Sequence, residues 1–244
     1  MSKIFRSSGA AGDIMYSLPT MTAMGGGILA IHLDNKAVPH NTTNGGFMKQ
    51  HHVDNFKEFL PKICPAVEDV VAFDGTMDVD LDLFRNGTVD LFWSYLPLAI
   101  AKLHKADIGL GPYITLDNME KIDDWKYPIV VNRSKRYRDK LDWEYLKPFE
   151  KQMCFIGLQD EYEDFVKEFG IDCDYHKTSS FMDIGTALAN SKLFVGNQSF
   201  CYAIAEMAKI NRVLEICHVC PNSGPYGKNS FTKIKYAMTE LKII

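Results

Sequence analysis

Leu193-Phe-Val-Gly196-Asn-Gln-Ser199-Phe-Cys-Tyr-Ala203-Ile-Ala-Glu-Met-Ala-Lys209-Ile-Asn-Arg212-Val-Leu-Glu215-Ile216 reads as a strand, a turn, a helix and a second strand. The apolar runs at residues 193–196 and 212–216 have strand length, and residues 200–209 have the length and composition of a helix. A strand-helix-strand order of this kind builds a parallel sheet with covering helices.

The same alternation extends over the rest of the chain. Residues 3–8 read as a first strand, with its first residues buried, and Gly9-Ala-Ala-Gly12 as a tight turn. Residues 13–24 read as a helix, in which Pro19 is tolerable only near the first turn. Three glycines at 25–27 stop it. Residues 28–33 form a buried strand, 34–46 a loop, 47–60 a helix and 67–73 a third strand. Between residues 75 and 90, Asp78, Asp80 and Asp82 alternate with apolar residues, which predicts a strand with one solvated face. The glycine and distal glutamate of a calcium loop are absent there. Residues 91–104 are helix-like. The charged stretch 117–126 has the look of a linker. A second run follows, with strands at 128–132 and 154–157 and helices at 143–151, 161–170 and 183–190. The expectation is an α/β fold of two Rossmann-like, doubly wound domains, residues 1–122 and 123–244. In such sheets ligands bind beyond the carboxyl ends of the strands.

Composition narrows the function classes. The chain has 244 residues, enough for two small cores, and a net charge of −4. Nucleic-acid binders carry a basic excess that is missing here, so no nucleic-acid partner is expected. No apolar run approaches the roughly 20 residues of a membrane span, and residues 1–6 do not read as a secretion signal. Six cysteines, only two of them closely spaced (Cys217 and Cys220), read as buried thiols of a cytoplasmic protein. Neither a cofactor nor a metal is expected, because His218 is the only further ligand beside that pair.

Three turns have the residues for chemistry. Gly12-Asp13 opens a helix after the first strand, where glycine permits close approach and Asp13 is either a helix cap or a reactive carboxylate. Gly196, Asn197, Gln198 and Ser199 lie between a strand and a helix, where backbone N–H groups and the Ser199 hydroxyl suit a phosphate. The cluster Arg133, Ser134, Lys135, Arg136 and Arg138 follows the strand at 128–132, where cations would meet a diphosphate. Glu215 ends its strand and is a candidate for a ribose or base.

These segments occur in a familiar order. Gly12-Asp13-Ile-Met-Tyr-Ser-Leu-Pro19 resembles the start of the heptosyltransferase family, glycosyltransferase family 9. The segment from Ile184 through Gly196-Asn-Gln-Ser199 to Ile216 resembles that family's late donor-phosphate segment. Pro128-Ile-Val-Val-Asn-Arg-Ser-Lys-Arg136 resembles the opening of its second domain. The resemblance implies the glycosyltransferase B fold, with an acceptor on the first domain and a nucleotide sugar on the second. It also implies a metal-independent, inverting sugar transfer to a glycan or other hydroxyl, with Asp13 as the base. Gln198 stands where the family commonly has aspartate, Phe200 where it has glycine, and Ala203 where it has histidine. The chain is also shorter than typical members. The alternatives are a non-catalytic nucleotide- or sugar-binding protein on the same fold, and a different α/β enzyme. Against the latter, no Walker loop, nucleophile elbow or paired-histidine metal motif is present.

Overall fold

Ile129-Val-Val-Asn132 is buried at every position, as a strand covered on both faces must be. In the computed structural model, which describes residues 1–34, 47–87, 89–90 and 93–243, the chain divides into two compact units, Met1–Asn118 and Met119–Ile244.

The first unit contains β1 (Lys3–Ser7), α1 (Ala11–Ala23), β2 (Gly27–Ile31), α2 (Gln50–Ile63), β3 (Val67–Ala72) and β4 (Val79–Asp80). A short 3-10 helix, Leu83–Asn86, and α3 (Leu96–Leu103) follow. Its sheet has the order β3-β2-β1-β4, and every pairing is parallel. Phe5, Ile14, Leu18, Phe56 and Phe59 are fully buried in its core.

The second unit contains β5 (Ile129–Asn132), a 3-10 helix at Trp143–Gln152, β6 (Met153–Phe155), α4 (Gln159–Phe169), β7 (Asp174–Tyr175) and α5 (Phe181–Asn190). Then come β8 (Leu193–Asn197), α6 (Phe200–Ala208), β9 (Arg212–Glu215), β10 (Ser230–Phe231) and α7 (Ile234–Glu240). Its six parallel strands run β10-β9-β8-β5-β6-β7. Numbered within the unit, that is the Rossmann order 3-2-1-4-5-6. Trp143, Phe155 and Phe165 form the aromatic centre of its core, with Trp143 edge-on to Phe165 at 5.3 Å.

Several expectations need correction. Pro19 lies well inside α1 rather than near its first turn. It forfeits one backbone hydrogen bond, but every residue from Ile14 to Met21 is buried, and that packing holds the helix together. Lys3 is exposed and only Phe5, Arg6 and Ser7 of β1 are buried, because the strand enters the sheet from the surface. The solvated face expected for the 78–82 acids holds for Asp78 but not for Asp82, which is fully buried against arginines. The loop expected at 34–46 falls, apart from Asp34, outside the described residues, as does the expected helix start at 91–92. All six cysteines are buried, and none is in a disulfide among the described residues. Among the described residues no helix is long and apolar enough to cross a membrane.

Candidate functional site

Each sheet changes winding direction once. In the first unit the change falls between β1 and β4, and in the second between β5 and β8. Strand pairs that flank such a point splay their following loops apart and open a crevice at the carboxyl ends. The three turns singled out above follow β1, β5 and β8. The topology therefore brings the Arg133–Arg136 segment beside Gly196–Ser199.

In the first unit, Gly12 and Asp13 lie in the first turn of α1. The N-cap is Ala10, so Asp13 does not cap in the simple sense. Its Oδ2 accepts from the Ala10 amide at 2.9 Å and pairs with Arg85 Nη2 at 2.9 Å. Asp13 is 29% exposed and Arg85 only 6%. Gly9 is required here: its φ is +93°, and an added Cβ would lie 2.1 Å from Arg85 Nη2. Burial opposes the Arg85 charge, but the facing Asp13 and Asp82 carboxylates outweigh it and raise its pKa. Burial pushes the Asp82 carboxyl up, against the pull of Arg85 and Arg6.

In the second unit, Asn132 of β5 pairs in register with Gly196 of β8. A Cβ on Gly196 would lie 2.6 Å from the Asn132 carbonyl oxygen, so only glycine fits. The buried Asn197 side chain clamps the basic loop. Its Oδ1 accepts from the Ser134 amide at 2.9 Å and from Ser134 Oγ at 3.2 Å. Its Nδ2 donates to the Ser134 carbonyl at 3.0 Å and to the Arg136 carbonyl. Gln198 donates to Asn222 and Ser223, both at 3.1 Å, and accepts from the Cys217 amide at 3.3 Å. Ser199 caps α6 by accepting from the Tyr202 amide at 3.2 Å, which leaves its hydroxyl proton able to reach a ligand. Phe200 packs against Phe181 at 4.4 Å between ring centres.

Arg133 and Glu215 face each other at the ends of β5 and β9. Arg133 meets Glu215 through two bonds, of 2.8 and 2.9 Å, and Glu168 at 2.6 Å. Glu215 is fully buried and also accepts from the Asp139 amide at 2.9 Å. Strand order explains the pairing. β5 and β9 flank β8, so an arginine just beyond one can reach a glutamate ending the other. Both side chains are buried against each other. Lys135 faces Asp160 at 2.7 Å, and Arg138 faces Asp164 at 3.4 Å. Asp160, Asp164 and Glu168 recur every four residues and so share one face of α4. The Lys135 pair is exposed, and such pairs exchange readily for another anion.

Sequence reading missed Asp82 and Arg85, whose partners lie more than 70 residues away in the chain, and also Asn132. The side-chain Nδ2 of Asn132 donates to the Ile156 carbonyl at 2.8 Å, while its buried Oδ1 has no hydrogen-bond partner among the described residues.

The Asn197 clamp gives a direct prediction. Asn197→Ala strands the Ser134 amide and two carbonyls, so stability should fall by about 1–3 kcal/mol. Urea unfolding checks this, and an unchanged midpoint would mean that the loop holds itself.

The fold is that of the glycosyltransferase B class, two Rossmann-like units each built on parallel strands. The chain is similar in structure to E. coli heptosyltransferase WaaC bound to ADP-2-deoxy-2-fluoro heptose, with a TM-score of 0.51 at 12% identity over 95% of this chain and 92% of that one. It is similar to a family 9 glycosyl transferase from Veillonella parvula, with a TM-score of 0.56 at 9% identity over 99% of this chain and 89% of that one. It is also similar to the E. coli iron-containing dodecameric heptosyltransferase TibC in complex with ADP-D-beta-D-heptose, with a TM-score of 0.59 at 10% identity. The match covers 94% of this chain but only 62% of TibC. No protein-family profile and no curated protein sequence matches the chain. Among the described residues no group of three or more His, Cys, Asp or Glu could hold a metal ion.

Proposed function

We propose that the chain is a glycosyltransferase that takes a nucleotide-sugar donor on its second unit and a hydroxyl acceptor on its first. The observation that carries this reading is the convergence of Ser134–Arg136 and Asn197–Ser199 at the winding change of the second sheet. There the first turn of α6 adds amides that the helix itself cannot satisfy. Such amides suit a diphosphate. Lys135 and the Ser199 hydroxyl can add to them, with Arg133 and Glu215 as the buried support.

In the transfer, the acceptor oxygen attacks the anomeric carbon as the bond from that carbon to the diphosphate oxygen breaks. The diphosphate leaves with the electron pair, and Asp13 takes the acceptor's proton. A single displacement of this kind inverts the anomeric centre. A sugar hydroxyl is a poor nucleophile at neutral pH, which is why a carboxylate base is needed. The nearest alternative is a nucleotide-binding protein without transfer, favoured by the commitment of Arg133 and Arg138 to carboxylates.

A thermal-shift series with ADP, UDP and GDP tests the donor side. At 100 times its dissociation constant the preferred nucleotide should add about 2.7 kcal/mol of stability. No shift with any of the three would sink the reading. Release of nucleoside diphosphate from the corresponding nucleotide sugar separates transfer from binding.

A further inference from the structure

Arg85 touches two groups of the Ser8–Asp13 turn and the Asp82 carboxylate at once. Its Nη2 reaches Asp13 Oδ2 at 2.9 Å and the Ser8 carbonyl at 3.2 Å, and its Nε reaches Asp82 Oδ1 at 3.3 Å. Asp82 Oδ1 in turn accepts from the Ser8 amide at 3.1 Å. The guanidinium also lies 4.6 Å from the Phe84 ring centre. The Asp82 side chain is fully sealed and the Arg85 side chain nearly so. A buried pair of this kind is weak support for stability, because desolvation cancels most of its Coulomb gain. Its geometric effect is larger. Oδ2 of Asp13 is held from two directions, by Arg85 and by the Ala10 amide. Oδ1 accepts no hydrogen bond among the described residues, and the carboxylate stays partly exposed. One oxygen is anchored and the other is presented.

We propose that Arg85, itself fixed by buried Asp82, is a positioning residue that holds Asp13 in a single orientation with Oδ1 toward the acceptor hydroxyl. The inference rests on the reading of Asp13 as the base. Arg85 touches no reacting atom. Its contribution is the fixed direction of the carboxylate, and misplacing a reacting group by about 1 Å costs about 100-fold in rate.

The test uses the full chain and release of ADP from ADP-heptose, with UDP-glucose and GDP-mannose as further donors. Arg85→Lys keeps the charge but loses the fork that spans Asp13, Ser8 and Asp82. It should fold and lower kcat about 10- to 100-fold with KM nearly unchanged. Arg85→Ala should show a similar loss, partly restored by millimolar guanidinium, a rescue that a merely structural role would not give. In an Asp13→Asn background Arg85→Lys should cost nothing further, because a residue acting only through Asp13 has nothing left to position. If Arg85→Ala does not fold, the Lys variant and the double variant decide. Full kcat in Arg85→Lys while Asp13→Asn is inactive would overturn the positioning role and spare the base. Equal losses with and without the Asp13 carboxylate would overturn it as well. Full activity of Asp13→Asn, or no donor turned over by the native chain, would remove the base reading and this inference together.

Discussion

Asp13→Asn should lower turnover by about 100-fold or more, the usual worth of a positioned general base. Asparagine is nearly isosteric and can still accept the Ala10 amide bond through its Oδ atom, but it cannot take the acceptor's proton. Stability should also move. If Asp13 only capped α1, asparagine would serve about as well. Instead the substitution removes the carboxylate facing a nearly buried Arg85. The expected loss is about 1–3 kcal/mol, between the values for exposed and buried pairs. Two measurements on one variant therefore separate the roles. Normal turnover with reduced stability makes Asp13 a structural anchor alone. Lost turnover from a folded, slightly weakened protein supports the base.

The largest effect on stability should come from Glu206→Ala. Glu206 lies fully buried in α6 and accepts Arg212 Nε at 2.6 Å, Lys209 Nζ and the Tyr202 hydroxyl at 3.3 Å. Arg212 is equally buried and spends its remaining donors on the carbonyls of Ile210, Tyr226 and Lys228, at 3.0, 2.6 and 2.9 Å. These bonds pin the segment that leads into β10. Without Glu206 two buried cations face each other with no anion, which costs about 3–5 kcal/mol. That is a large share of the roughly 5–15 kcal/mol that holds a protein folded. Burial already lowers the pKa of Lys209, with Glu206 opposing. Removing Glu206 lowers it further, so Lys209 sheds its proton at a lower pH and the deficit should shrink as pH rises. Denaturant unfolding of the native chain and variant at neutral and alkaline pH checks both points. A loss below about 1 kcal/mol would contradict the buried-cluster account.

The fold was legible where short apolar runs alternate with amphipathic segments. Residues 129–132 and 193–195 can only be covered strands, and the intervening helices force a parallel arrangement. What escaped notice was short or polar. β7 and β10 have two residues each, too few for a periodic signal, and α7 has only seven. The segment 143–152 reads as an ordinary helix, but Pro148 removes an N–H, and the chain winds more tightly instead.

The candidate site was legible in position more than in direction. Glycine and polar residues after apolar runs marked the turns that follow β1, β5 and β8. They gave no sign that Asn197 and Gln198 turn inward to tie neighbouring loops, or that Arg133 and Glu215 find each other across 82 residues. The same holds for Asp82. Period two describes a strand's faces, but the arginines that make burial affordable for that carboxylate sit on β1 and on the 3-10 helix that follows it.

The central claim is that the second unit binds a nucleoside diphosphate at Asn197–Ser199 and the loop they hold. Calorimetric titration of the preferred nucleotide into the native chain and into Ser199→Trp tests it most directly. The indole would fill the mouth of the α6 turn and forfeit a cap worth about 1 kcal/mol, small enough to leave the protein folded. The account predicts clear binding to the native chain and at least about tenfold weaker binding to the variant, a difference of about 1.4 kcal/mol. Equal affinity in the two proteins, or no binding to the native chain, would contradict it.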